Sequence, residues 1–258
     1  MTIVCEDEQF LCHKIVLAAS CPYLKAMFTS GMRESTSNEI HLTGIKSAIW
    51  RQILGFIYCR TISITKENIL DMVGASSLLQ MEELRRRCSE FLKSHIDYTN
   101  VINIRTFSTA MFLDELKDYA TNFLMNNFVK VIAEEEFLEL SPEAVVEILK
   151  FDFLRVRSEY VPFFASILWL QHNLPERLAH GIMILENIRL LHFTNSAYLQ
   201  RIMDRLPQEI HSAEDCEKFL ENISKRCSKR RLLGALREDT LSYPRFVSHF
   251  QTAHNYTD

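Results

Sequence analysis

An α+β unit followed by an all-helical one is the fold class this sequence predicts, and three observations predict it. Alternating, strand-like stretches are confined to the first third of the chain, after which apolar residues recur only at helical spacing. Glycine and proline number 6 each in 258 residues, which favours helices with short connections over a loop-rich β protein. Hydrophobic residues make up 47% of the chain, enough for a substantial core, and the length accommodates two ordinary domains.

Thr2-Ile3-Val4 and Gln9-Phe10-Leu11-Cys12 read as two short strands around the acidic turn Glu6-Asp7-Glu8. From His13 to Glu34 the pattern is helix, break, helix. Ile15, Val16 and Leu17 form an apolar cluster, and Ala18 and Ala19 allow close packing. Pro22 lacks an amide hydrogen and suits the first turn of the second helix, with Ser20 as its N-cap. Leu24, Met27 and Phe28 continue at helical spacing, and Gly31 stops the helix as a left-handed C-terminal glycine. The exposed tripeptide Met32-Arg33-Glu34 follows. Glu39-Ile40-His41-Leu42 alternates as a strand, and Ala48 to Tyr58 carries a helical apolar face. If the turn after Tyr58 needs a positive φ, Arg60 carries a strain that glycine would avoid. Ile62-Ser63-Ile64 reads as a short strand, and Thr65 as the cap of a helix with Ile69, Met72, Val73 and Ser76 on one face.

From about Ile96 the strand signals stop. Val101, Ile102, Ile104, Phe107, Met111 and Leu113 mark one amphipathic helix; Leu116, Tyr119, Ala120, Phe123, Leu124 and Phe128 mark the next. Ser141-Pro142-Glu143 is a strong helix start, with cap, proline at the first position and an acid in the first turn. Ser158-Glu159 is another. Pro162 then falls in the first turn, where its missing amide costs no internal hydrogen bond.

Several of these stretches carry a family likeness. His13-Lys14, Leu17-Ala18-Ala19-Ser20, Cys21-Pro22-Tyr23-Leu24, Ala26-Met27-Phe28-Thr29 and Gly31-Met32-Arg33-Glu34-Ser35, in that order, closely resemble the BTB (POZ) domain of kelch-like proteins. Phe56-Ile57-Tyr58 and the run Ala75 to Met81 resemble it too, although Cys59-Arg60 stands where the family has Thr-Gly. Glu135 to Leu140, Val156-Arg157-Ser158-Glu159, Trp169 with His172, and Ile188-Arg189-Leu190 with Tyr198-Leu199 resemble the BACK domain that follows BTB in those proteins. Phe153 and His192-Phe193 depart from its pattern. The resemblance implies an α+β BTB/POZ domain over 1–95, an all-α BACK domain over 96–224 and a C-terminal helix or linker tail over 225–258. The family places a helix and a strand ahead of the first core strand, where they build much of the homodimer interface. This sequence starts inside that strand, so the expectation is a fragment or isoform, or a weaker dimer than its relatives. Kelch-like proteins continue into a propeller with repeats of about 50 residues, and no such repeat occurs here.

Chemistry is scarce. The 7 cysteines are odd in number, widely spaced and without Cys-x-x-Cys, so they read as free thiols in a reducing compartment rather than a zinc site. Among 9 histidines, His13 is by resemblance a structural residue. No Gly-x-Ser-x-Gly, P-loop, Gly-x-Gly-x-x-Gly or His-Glu-x-x-His occurs, and Glu134-Glu135-Glu136 reads as a helix start or a solvated face rather than a paired acid-base site. No enzyme, cofactor or metal is expected. No apolar run reaches membrane-spanning length and no signal peptide opens the sequence, so the cytoplasm, with the nucleus beside it, is the expected location. A net charge of −4 gives no overall reason to expect nucleic acid. Lys225-Arg226 and Lys229-Arg230-Arg231 read either as a solvated helix face or as an anion-binding or nuclear-import patch.

Partner surface is what remains. The resemblance implies a substrate adaptor of cullin-3 RING ubiquitin ligases. Its hydrophobic-x-acid motif would be Met32-Arg33-Glu34, with Met32 filling an apolar pocket and Glu34 fixing register. Tyr58 is a further candidate contact. Ile104, Phe107 and Met111 fall where relatives receive the cullin's N-terminal extension, and plain core packing is the other reading of those three. A BTB homodimer, or a heterodimer with a kelch-like protein, is the second partner implied. Two alternative functions are a propeller-less regulator that inhibits full-length relatives and a BTB oligomerisation module of a transcriptional regulator.

Overall fold

The computed structural model describes residues 1–31, 37–185 and 187–188. The chain forms two compact units. The first comprises Met1–Ile96 and Ile104–Tyr119; the second comprises Asp97–Asn103 and the chain from Ala120 on.

The first unit is α+β. Strands β1 (Thr2–Cys5) and β2 (Glu8–Leu11) form an antiparallel hairpin in which Ile3 faces Phe10, and β3 (Glu39–His41) adds parallel to β1, giving the order β2-β1-β3. The two-residue hairpin turn needs a left-handed residue, and Glu6 supplies it with φ +51°. The carboxylate of Glu6 also accepts from the Ser47 amide at 2.8 Å, capping a helix whose own start offers no side-chain cap.

Helices α1 (Lys14–Ser20) and α2 (Pro22–Thr29) reproduce the expected helix, break, helix. Ser20 is not the cap. It ends α1, and Cys21 holds the extended cap position with its buried thiol donating to the Leu79 carbonyl at 3.2 Å. Gly31 follows α2 with φ +70°, as a left-handed terminator should.

Helix α3 (Ser47–Cys59) buries Trp50, Ile53 and Phe56; α4 (Ile69–Leu78) and α5 (Glu82–Ser94) pack with it through Met72, Leu79 and Leu84. Ile62-Ser63-Ile64 is not a strand. Its alternation specifies extended backbone, but among the described residues no strand pairs with it. Thr65 does not cap α4 either. The helix begins four residues later, and the Asn68 side chain accepts from the Thr65 amide at 2.8 Å.

Two later helices are shared between the units. Helix α6 (Val101–Ala110) begins in the second and ends in the first; α7 (Asp114–Val131) begins in the first and ends in the second. In the first unit Leu113 and Leu116 are buried in the core cluster. Tyr119, expected on the buried face of α7, is 46% exposed.

The second unit is all-helical. Helix α7 is interrupted at Asn127, whose side-chain amide takes the Phe123 carbonyl from the helix ladder at 2.9 Å. Short helix α8 (Glu135–Leu138) inserts Phe137 edge-on against Phe128, centroids 6.1 Å apart. Helix α9 (Pro142–Leu149) starts as the sequence requires, the Ser141 hydroxyl accepting from the Ala144 amide. Helix α10 (Tyr160–His172) is buried through Phe163, Ile167 and Leu170 and keeps Pro162 in its first turn. Trp169 donates its indole N–H to the Leu140 carbonyl at 2.9 Å and carries the Arg177 guanidinium 4.1 Å above its ring.

Candidate functional site

The first unit exposes apolar side chains where β2 ends and α1 begins. Leu11 is 88% exposed and Ile15 84%, although each neighbours core residues in sequence. Between them His13 is fixed by Tyr58 from the end of α3. The Tyr58 hydroxyl accepts from the His13 amide at 2.9 Å and lies 3.0 Å from His13 Nδ1, with the rings 5.9 Å apart. Tyr58 remains 43% exposed, so one phenol both pins the start of α1 and offers its ring edge to solvent.

Met32 and Glu34 lie outside the described residues; the structure reaches Gly31 and resumes at residue 37. Ile104, Phe107 and Met111 are half-buried and pack against the core cluster of the first unit. Their i, i+3, i+7 spacing is the spacing of an inward face, so the periodicity that singles them out also turns them toward the core.

The residue that sequence reading missed is the next one. Phe112 is 80% exposed and occupies the left-handed position after α6, with φ +54°. The Phe112 amide donates to the Thr109 carbonyl at 3.3 Å and the Leu113 amide to Ser108 at 2.9 Å, the bond pair of a Schellman end. A side chain bearing a β-carbon loses roughly 1 kcal/mol or more in that conformation. Its signal in the sequence is negative: an aromatic off the helical stripe, just before the acidic start Asp114-Glu115.

Burial pushes the thiols of Cys5 and Cys88 up to about 12, which keeps them protonated and inert, while Cys59 is exposed. Among the described residues no three His, Cys, Asp or Glu side chains gather to hold a metal, and no helix is long and apolar enough to cross a membrane.

With this geometry in hand, comparison with known proteins is informative. The family model described as BTB/POZ domain matches residues 1–96, and that described as BTB And C-terminal Kelch, the BACK domain, matches residues 101–204. The chain is a BTB–BACK protein of the kelch-like family. It is similar to human Kelch-like protein 2, with 31% identity over 220 residues, and to human Kelch-like protein 3, with 35% over 188 residues. These alignments cover 85% and 73% of this chain but 37% and 32% of the relatives, so the chain spans about a third of their length. Among solved structures, the BTB domain of human gigaxonin aligns over 35% of this chain and 74% of its own, with 30% identity and a TM-score of 0.32. In family terms, the Leu11–Ile15–Tyr58 surface belongs to the BTB match, and Phe112 falls early in the BACK match.

Proposed function

We propose that this chain is a substrate-adaptor subunit of a cullin-3 RING ubiquitin ligase. The observation that carries this reading is the order of its parts, a BTB/POZ domain running into BACK helices in a kelch-like chain. An adaptor needs no nucleophile. It raises the local concentration of a substrate beside the charged ubiquitin carrier, and its contribution is proximity. Met32 and Glu34, directly after the left-handed end of α2, form the cullin contact in this reading. Tyr58, Ile104, Phe107 and Met111 are the further contact residues of this reading. The exposed Leu11 and Ile15 favour pairing with a second BTB domain, because large aliphatic side chains this open to water gain from being covered. The site of action in this reading is the cytoplasm, with the nucleus beside it.

The test is calorimetric titration with the purified N-terminal domain of cullin-3. Binding is expected, with Met32→Asp and Glu34→Lys each weakening it about 10-fold or more. Light scattering on the same complex reads the pairing, two chains per assembly being the expected result. Absence of binding by the unmutated chain would remove the adaptor function.

A further inference from the structure

Two of the four left-handed residues other than glycine, Arg60 and Gln80, border one cavity. Arg60 ends α3 with φ +58° and Gln80 follows α4 with φ +56°; the hollow they share has a volume of about 180 Å³. Glycine or asparagine would make either turn with less strain, and such outliers gather where a surface has something to bind. The lining is graded. Phe56, Ile57 and Met81 are buried and apolar, while Arg60 and Gln80 are exposed. The volume is below the roughly 300 Å³ at which small-molecule sites begin, so the hollow takes one side chain rather than a cofactor.

Pairing sorts the charge at this hollow. Glu83 holds Arg86 at 3.0 Å and Arg87 at 2.9 Å, and Glu82 lies 3.7 Å from Arg85. Arg60, the remaining charged residue of the lining, has no ion pair among the described residues. Its guanidinium is nevertheless placed, 5.8 Å from the centroid of the Phe56 ring. A planar cation already set over an aromatic ring loses little freedom when a carboxylate arrives, and its fork meets both oxygens together. An unanswered, oriented cation beside an apolar hollow is complementary to an anion carried next to an apolar side chain.

We infer that the hollow docks a short peptide segment of a partner protein. A leucine-sized side chain of that segment enters against Phe56, Ile57 and Met81, and the carboxylate of an adjoining Asp or Glu pairs with Arg60. Gln80, at the same hollow, carries a side-chain amide able to bond the segment's backbone. Charge complementarity selects this occupant. An uncharged apolar side chain would leave Arg60 unanswered. A nucleic-acid backbone would leave the apolar lining open to water and bring its phosphates against Glu82 and Glu83. The site uses none of the residues assigned to cullin-3 above and is therefore a second binding surface.

The experiment is an NMR titration of the full chain, labelled at its methionine methyls, with the peptide acetyl-Ala-Leu-Glu-Ala-amide. The Met81 methyl, assigned through Met81→Leu, is expected to shift and to saturate at millimolar peptide. Arg60→Gly keeps the fold, because it relieves the left-handed strain, and is expected to bind about 10-fold or more weakly. The parent should lose a similar factor against acetyl-Ala-Leu-Gln-Ala-amide, whereas Arg60→Gly should not distinguish the two peptides, as a direct pair requires. With alanine in place of the peptide's leucine the saturable shift should vanish. Parent-like affinity of Arg60→Gly overturns the proposal, and so does a Met81 methyl that stays in place throughout the titration. Equal binding of the glutamate and glutamine peptides by the parent overturns the carboxylate pair. A change in the mass of the free chain on Arg60→Gly, read by light scattering, would give the hollow to a second copy and overturn the peptide as occupant.

Discussion

Four residues other than glycine hold a positive φ in the described part of the chain: Glu6, Arg60, Gln80 and Phe112. Three of them end helices, because a chain with 6 glycines in 258 residues must terminate most helices with something else. Gln80 closes α4 with the same bond pair seen after α6, from the Gln80 and Met81 amides to Ser77 and Ser76. Arg60 closes α3 at φ +58°, and its guanidinium lies over the Phe56 ring at 5.8 Å. Arg87 covers the same ring at 5.0 Å, so Phe56 keeps a cation above it without Arg60. Arg60→Gly is therefore expected to stabilise the fold by about 0.5 kcal/mol, the relief of strain outweighing one exposed cation–π contact. Urea unfolding checks this; a lowered midpoint would show that the ring contact outweighs the strain. Arg60 was readable from the sequence only because the family pattern has glycine there. Gln80 and Phe112 carried no such signal, since polar and aromatic residues at helix ends do not announce a left-handed backbone.

At the level of elements, the sequence was most legible where a side chain makes the local bond itself. Ser141-Pro142-Glu143 gave its helix start correctly because cap, ring and acid all act within one turn. Ile62-Ser63-Ile64 misled because alternation specifies extended backbone but not a partner, and Thr65 because the helix starts later, with Asn68 at its cap position. The start of α6 at Val101 was legible from its apolar spacing, but its cap was not. Its cap is supplied from elsewhere, by Glu136 on α8, which accepts from the amides of Asn103 and Ile102 and from the Asn103 side chain. Burial nevertheless pushes the Glu136 carboxyl above its ordinary value, and the bonds from these donors only offset part of that. A carboxyl raised on folding helps the fold most when protonated. Its contribution is whole below the unfolded value of 4.5 and is lost as pH rises through the folded value. Glu136→Gln keeps an acceptor and removes the buried charge, so its stability relative to the parent should rise with pH across that window. Paired urea melts at about pH 4 and about pH 7 measure this; a gap that does not change would remove burial as the governing cause.

On the scale of the whole molecule, the two classes of structure were legible, but which helix completes which core was not. Hydrophobic periodicity separates an α+β front from a helical remainder, but it cannot tell which helix serves which core. The chain enters the second unit at Asp97, returns to the first at Ile104 and leaves it again after Tyr119. Leu113 and Leu116 are fully part of the first core, with Ile104, Phe107 and Met111 packed against it. A polypeptide ending at Ile96 would keep β1 to β3 and α1 to α5 yet lack Ile104–Tyr119, which packs with them. It should be sticky and prone to precipitate, whereas one ending at Tyr119 should stay dispersed; dynamic light scattering of the two fragments separates these outcomes. A cut at Ile96 therefore parts the hairpin and its helices from Ile104–Tyr119, the later stretch of chain that completes their core.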